Sequence, residues 1–278
     1  KKDGLIRTGI FGDFSALPRQ FACFSGLNEI QNQNYDFILV CTKSFDSQTA
    51  AGDIFDHKHL LGRDGKIVLF QNGWGNAEKF LRYFEPSQVY SARVITGFAR
   101  PAPNRVDITV HAEAIHIGSL FGSDVTPLLQ LCDLITKGGI DCRITDSIEK
   151  DLWAKLLYNC LLNPLGAILA VPYGKLAEAD YTRKLMNALA TEIFAVMKAA
   201  GYSAHWNSAD DFLEVFYARL VPDTARHKSS TLQDIAAGKQ TEIDALNGAV
   251  IALAEKYNIE TPCNRTVYNL VKFMELRT

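Results

Sequence analysis

Runs of consecutive apolar residues alternate with polar stretches through the first half of the chain. Residues 35–42 and 65–73 form two such runs, each typical of a strand buried on both faces of a parallel sheet. A helix predicted over residues 47–61 would join them as a βαβ unit. Residues 89–96 predict a third strand, and the alternation in residues 107–118 favours edge or antiparallel strands. This half therefore predicts a Rossmann-like α/β fold.

After residue 148 the apolar positions recur every three or four residues, which is the periodicity of helices. The predicted helices cover residues 148–162, 181–200, 208–220, 242–257 and 262–276. The change of period indicates a boundary near residues 146–150. We therefore expect an α/β domain over residues 1–147 and an all-α domain over residues 148–278.

Composition narrows the class of function. The chain has 278 residues, 47% hydrophobic and 22% charged, with a formal net charge of -2, a balance that favours neither nucleic acid nor a membrane surface as partner. The most apolar stretch, residues 156–171, is interrupted by Asn159, Asn163 and Pro164, so we predict no membrane span. The six cysteines form no CxxC pair, which favours a reducing, cytoplasmic compartment. The histidines lack metal-ligand spacing, so we predict no metal site.

Lys155, Asn159 and Asn163 are four residues apart in an otherwise apolar predicted helix, which places them on one helix face. A buried ammonium and two buried carboxamides each need hydrogen-bond partners. A small, oxygen-rich ligand would supply these partners, and so would an internal hydrogen-bond network. The spacing alone leaves both interpretations open.

Polar residues and glycines follow three successive predicted strands. Lys43 follows the first strand, Asn72 the second and Gly97 the third. Ligands of open α/β sheets bind at the carboxyl ends of the strands, so these positions together predict a cofactor crevice.

A further candidate lies where Ser230 precedes a short predicted helix and Glu242 begins the next. A serine hydroxyl and the free N–H groups of a helix start suit a carboxylate ligand. Simple N-capping explains Ser229 or Ser230 equally well.

Taken together, five separated groups of residues resemble the ketopantoate reductase (2-dehydropantoate 2-reductase) family. They are Thr42-Lys43; Asn72-Gly73-Trp74-Gly75; Trp153, Lys155, Asn159, Asn163 and Pro164; Ser229, Ser230, Gln233, Asp234 and Gly238; and Thr241, Glu242, Asp244, Asn247 and Gly248. The resemblance covers nearly the whole chain.

The resemblance implies an NADPH-dependent reduction of 2-dehydropantoate to pantoate, in pantothenate and coenzyme A biosynthesis, in a cleft between a Rossmann domain and a helical domain. In that family the lysine that matches Lys155 protonates the ketone oxygen as hydride arrives from the nicotinamide. The residues expected to bind the substrate are Lys155, Asn159, Asn163 and Ser230, and those expected to contact the cofactor are Lys43, Asn72, Gly97 and Glu242. The helical half is expected to offer a homodimer surface.

The sequence departs from the family in two ways. The glycine-rich turn that receives the pyrophosphate is not found, and residues 1–13 resemble the segment after it. We therefore expect a truncated form of a longer protein that lacks the first βα unit; a degenerate relative that only binds a ligand is the alternative. Tyr173 and His227 stand where some relatives carry amides near the substrate, which leaves open another 2-oxo acid as the substrate.

Overall fold

The computed structural model describes residues 3–31 and 33–277. The strands within these residues are β1 (Leu5–Gly9), β2 (Phe14–Ala16), β3 (Tyr35–Val40), β4 (Leu61–Leu69), β5 (Val89–Arg93), β6 (Thr96–Ala102), β7 (Arg105–His111), β8 (Ile115–Gly118) and β9 (Cys142–Ile144). The α-helices are α1 (Ser47–Asp56), α2 (Asn76–Phe80), α3 (Leu129–Lys137), α4 (Ile148–Ile168), α5 (Tyr173–Glu178), α6 (Asp180–Ala199), α7 (Ala209–Val215), α8 (Val221–Asp223), α9 (Ser230–Ala236), α10 (Asn247–Lys256) and α11 (Pro262–Glu275).

The chain divides into two compact units. The first comprises residues 1–42, 47–70 and 77–148, and the second comprises residues 43–46, 71–76 and 149–278. Two short segments that follow β3 and β4 therefore belong to the helical unit by their contacts, although they lie far upstream of it in sequence.

The strands of the first unit form two sheets within the described residues. The larger has the order β3-β4-β5-β8-β9, and the smaller has the order β2-β1-β7-β6. In the larger sheet β3, β4 and β5 are mutually parallel, β8 runs antiparallel to β5, and β9 is parallel to β8. The α/β fold class is confirmed. The strands β3, β4 and β5 are parallel, as the apolar runs suggested, and β7 and β8 each have an antiparallel neighbour, as the alternation in residues 107–118 favoured.

Alternate residues of the central strands enter different cores. Ile67, Leu69 and Val89 belong to one hydrophobic cluster, whereas Val68 and Tyr90 belong to another. Side chains of a strand point to opposite faces in turn, so the sheet is covered on both faces. This explains why the second half of β4 reads as a continuous apolar run in the sequence.

Several predicted boundaries were wrong. The helix expected over residues 47–61 ends at Asp56, and the strand expected over residues 89–96 ends at Arg93. The helix expected over residues 208–220 is α7, which continues into a π-helical segment, Phe216–Leu220, before α8. The helix expected over residues 242–257 begins only at Asn247, after a 3₁₀ turn.

The second unit is helical and is built around α4, whose residues Trp153, Leu157 and Leu161 are fully buried in its core. This helix was predicted to end at residue 162, but it continues to Ile168 with Pro164 inside it. A proline inside a helix has no N–H for the carbonyl four residues earlier, here that of Cys160. The Asn247 side chain supplies the missing donor, because its Nδ2 lies 3.2 Å from the Cys160 carbonyl oxygen.

In the described part of the chain, no helix combines the length and the apolar character that a bilayer crossing would need.

Candidate functional site

The loop that follows β4 is fixed against the helical unit. The Trp74 N–H donates to the carbonyl oxygen of Ala245 at 2.9 Å, and the Trp74 ring lies 4.8 Å from that of Trp153 on α4. Gly73 has a φ of 87°, and a Cβ added there would lie 2.3 Å from the same carbonyl oxygen of Ala245. Only glycine accommodates both this φ and this close approach. The loop therefore holds Asn72 in one place.

Asn72 bridges two of the predicted site residues. Its Oδ1 accepts a hydrogen bond from the Lys155 ammonium at 2.6 Å, and its Nδ2 donates to Oε2 of Glu242 at 3.0 Å. One carboxamide can do both because it carries an acceptor and a donor side by side. The backbone of the loop is tied in as well, since Asn76 Nδ2 donates to the Asn72 carbonyl at 2.9 Å. Lys155, Asn72 and Glu242 thus form a continuous chain of hydrogen bonds.

Glu242 is the centre of the charged part of the cluster. It is only 7% exposed, and its Oε1 accepts from the Ser44 N–H at 3.2 Å. The Lys43 ammonium lies 3.7 Å from Oε2 of Glu242 and 2.9 Å from Oδ2 of Asp234. A buried carboxylate needs this combination of donors and positive charge. The structure therefore brings Lys43, Asn72, Lys155 and Glu242 together.

Asn159 and Asn163 follow Lys155 along the same face of α4, and their side chains differ in environment. Among the residues that the structure describes, the Asn159 carboxamide has no hydrogen-bond partner. Asn163 is 4% exposed, and its Oδ1 accepts a hydrogen bond from the Tyr173 hydroxyl at 2.5 Å. The ligand interpretation and the internal-network interpretation of this helix face therefore apply to different residues: Asn163 is partly satisfied within the protein, and within the described residues Asn159 is not.

The two adjacent serines at the start of α9 have different roles. Ser229 is fully buried and is the N-cap, because its Oγ accepts from the Leu232 N–H at 3.0 Å. Ser230 is the first helical residue, and within the described residues its hydroxyl makes no hydrogen bond. Capping therefore explains Ser229 and leaves the Ser230 hydroxyl available to a ligand.

Gly97 belongs to the first unit, whereas the cluster belongs to the second. It lies on β6, where a Cβ would meet the Thr109 side chain at 3.0 Å.

Two members of the cluster were not among the predicted site residues. Ser44 directly follows the Thr42-Lys43 pair, and Asp234 stands in the Ser229–Gly238 group of the resemblance, so their positions beside recognised residues were the only available signal.

Burial determines the ionisation of the aromatic groups near α4. It raises the pKa of Tyr158 to about 12, moves that of Tyr173 upward too, and lowers that of His227 below its usual value of 6.5. The two phenols are therefore protonated and the imidazole is neutral at pH 7. Positive charge in the site comes from lysine.

Over residues 3–31 and 33–277 there is no group of three or more His, Cys, Asp or Glu side chains that could hold a metal ion.

The donor set of this cluster fits a nicotinamide cofactor. The Lys43 side chain is 40% exposed although it is ion-paired, and ammonium and amide donors match the phosphate and carboxamide oxygens of such a cofactor.

Comparison with known proteins defines the class. Residues 1–122 match the family model described as ketopantoate reductase PanE/ApbA, and residues 147–275 match the model of its C-terminal domain. The chain belongs to the ketopantoate reductase family of oxidoreductases.

Particular relatives agree with this. The chain is 38% identical over 269 residues to a 2-dehydropantoate 2-reductase of Aquifex aeolicus, covering 96% of this chain and 84% of that protein. The crystal structure of a PanE/ApbA family ketopantoate reductase from Ralstonia eutropha JMP134 is 28% identical, with a TM-score of 0.82 over 99% of this chain and 85% of that one. A D-mandelate dehydrogenase, solved with NADH and anilino(oxo)acetate, is 21% identical with a TM-score of 0.85 over 99% of this chain and 86% of that one. The last likeness concerns the fold alone.

Proposed function

We propose that this protein reduces 2-dehydropantoate to pantoate with NADPH, a step of pantothenate and coenzyme A biosynthesis. The observation that carries the proposal is the chain of hydrogen bonds from Lys155 through Asn72 to Glu242. The choice of substrate is supported by the names of the relatives. The choice of reaction is supported by the Lys155 ammonium, which Asn72 holds in a defined direction.

The chemistry needs a proton donor as well as a hydride. The cofactor, when bound, would supply the hydride, and we assign its contacts to Lys43, Asn72, Gly97 and Glu242. Hydride addition to a ketone places negative charge on the ketone oxygen, and a fixed ammonium stabilises that charge and can supply the proton. We assign this role to Lys155. Because Asn72 holds the Lys155 ammonium at 2.6 Å, little reorganisation is needed when the charge develops.

The remaining substrate contacts are assigned to Asn159, Asn163 and Ser230, which bind the 2-oxo acid together with Lys155. Asn159 and Ser230 support this assignment because, in the described residues, neither side chain has a hydrogen-bond partner. A polar side chain that is partly buried without a partner is costly unless a ligand or water satisfies it.

The Lys155→Met variant tests the proton donor, because it keeps the length of the side chain and removes the ammonium. We expect kcat with 2-dehydropantoate and NADPH to fall by a factor of about 10² to 10⁴. Lys175→Met is the matched control, since Lys175 belongs to the same unit but is a surface lysine, 61% exposed and paired with Glu178. If both variants retain normal kcat, Lys155 is not the proton donor.

The substrate is tested with a panel of 2-oxo acids that differ in the bulk of the side chain, with NADPH oxidation as the readout. The highest kcat/KM for 2-dehydropantoate supports the proposal, and a higher value for a bulkier 2-oxo acid replaces the substrate but keeps the reaction. No turnover of any member would leave a ligand-binding protein as the function. The same assay with NADH in place of NADPH decides the cofactor preference.

Two further parts of the proposal concern the whole protein. We propose a cytoplasmic location, which is supported by the six free cysteines, and a homodimer. Sedimentation equilibrium of the purified protein tests the dimer by its mass.

A further inference from the structure

Tyr173 and Asn163 form a side-chain pair within the helical unit. The two side chains are 3% and 4% exposed, and the phenol hydroxyl donates to the carboxamide oxygen at 2.5 Å. Tyr173 begins α5, ten residues after Asn163 in α4. A buried phenol remains protonated, and here its hydroxyl donates to this oxygen.

Tyr173 is itself held in place from two sides. Its backbone N–H donates to the carbonyl oxygen of His227 at 3.0 Å, and the next N–H, of Gly174, donates to that of Ala225 at 2.9 Å. Its ring lies 5.2 Å from the His227 ring and 5.8 Å from the Tyr158 ring. These hydrogen bonds and ring contacts hold the Tyr173 backbone and ring in place beside Asn163.

The hydrogen bond decides which end of the Asn163 carboxamide is available. An asparagine side chain can turn over, exchanging its oxygen for its NH₂ group. With the oxygen occupied by Tyr173, the NH₂ group is the end that can serve a ligand, and within the described residues it has no hydrogen-bond partner. An NH₂ group donates, whereas a carboxylate only accepts, so the two are complementary.

We propose that Tyr173 is a positioning residue for the 2-oxo acid, which fixes the Asn163 carboxamide so that its NH₂ group donates to the substrate carboxylate. This inference rests on the proposed function. In the opposite orientation the carboxamide oxygen would face the carboxylate, and the two acceptors would repel each other. Tyr173 acts through Asn163 and need not touch the substrate.

The first test is Tyr173→Phe, which removes only the hydroxyl. We expect KM for the 2-oxo acid to rise about tenfold, the equivalent of one hydrogen bond, whereas kcat and KM for NADPH change less than about twofold. Tyr158→Phe is the matched control. It removes the hydroxyl of a neighbouring buried tyrosine, which is 2.6 Å from Thr224 Oγ1, and should leave KM for the 2-oxo acid unchanged.

The second test separates positioning from a general effect on the fold. In an Asn163→Ala background, Tyr173→Phe should cause no further rise in KM, because the group that it positions is absent. Asn163→Asp, which keeps an acceptor for Tyr173 but removes the NH₂ group, should weaken the binding of the 2-oxo acid at least as strongly as Asn163→Ala.

The outcomes are distinct. An unchanged KM in Tyr173→Phe, or equal effects in the two tyrosine variants, overturns the positioning role while the wild-type reductase activity stands. A tenfold effect of Tyr173→Phe that persists without Asn163 also overturns it, since the phenol then acts by another route. Absence of wild-type turnover with every 2-oxo acid is the failure of the proposed function, and thermal-shift measurement of 2-oxo acid binding then tests the positioning role in the wild type and the same variants.

Discussion

The continuity of α4 through Pro164 depends on one buried side chain from a distant helix. Asn247 is fully buried, and its Nδ2 donates to the Cys160 carbonyl at 3.2 Å and to Oδ1 of Asn264 at 2.9 Å. We predict that Asn247→Leu, which keeps the size of the side chain and removes its donor, destabilises the protein. Without that donor the Cys160 carbonyl lacks both the N–H of the residue four positions further on, which is Pro164, and the Asn247 side chain.

The magnitude follows from the groups that change partners. Two buried acceptors, on Cys160 and Asn264, lose a donor, and each such loss costs about 1–3 kcal/mol. In the described residues the Oδ1 of Asn247 is itself buried without a partner, so leucine removes a group that was already unsatisfied and recovers a cost of the same kind. Two losses less one recovery leave a net destabilisation of about 1–3 kcal/mol.

The assay is urea unfolding followed by circular dichroism, on Asn247→Leu alone and combined with Pro164→Ala. Alanine at position 164 restores an N–H for the Cys160 carbonyl, so Asn247→Leu should cost about 1 kcal/mol less in that background. Pro222→Ala is the control, because Pro222 is exposed at the start of α8 and its replacement should combine additively with Asn247→Leu. Additivity with Pro164→Ala as well would refute the compensation between Asn247 and Pro164.

Three shorter predictions concern the site. Gly73→Ala should lower both the free energy of unfolding and kcat, because the added Cβ would meet the Ala245 carbonyl. Gly75→Ala is the control: Gly75 has nearly the same φ but no atom within 4 Å of its Cβ position, so only the backbone strain should lower the stability. Equal effects of the two variants on kcat would exclude a positioning role for the contact at position 73. Ser229→Ala should lower the free energy of unfolding by about 1 kcal/mol as a lost N-cap, and Ser230→Ala should instead raise KM for the 2-oxo acid; the reverse pattern would exchange the two roles. The lowered pKa of His227 means that the unfolded chain takes up its proton near pH 6.5 before the folded chain does, so stability is lost as pH falls below 6.5. His227→Gln should reduce the fall in Tm between about pH 7.5 and 5.5, and an unchanged fall would mean that other groups cause it.

Local pattern predicted much of the fold and part of the site. The apolar runs of β3 and β4 and the helical period after residue 148 identified the α/β and helical parts, because burial on both sheet faces and on one helix face leaves different periods. The spacing of Lys155, Asn159 and Asn163 was sufficient to place them on one face of a helix.

Helix ends and turns were predicted less well, because their signals can be overridden from a distance. Pro164 is an ordinary stop signal, but a donor from Asn247, 87 residues away from Cys160, lets α4 continue. The two serines at the start of α9 were equivalent in sequence, and only the geometry made Ser229 the cap.

The sequence by itself determined which residues could do chemistry: a lysine with two amides on one helix face, and polar groups after successive strands. Tertiary structure decided which of them meet. Lys155 reaches Asn72 across 83 residues, and Asn72 reaches Glu242 across 170. The loop after β4 that carries Asn72 is held in position by the contacts of Gly73 and Trp74. Periodicity reports the burial of each residue in its own element, whereas a hydrogen bond depends on the position of two elements to within a few tenths of an ångström, and packing alone sets that position.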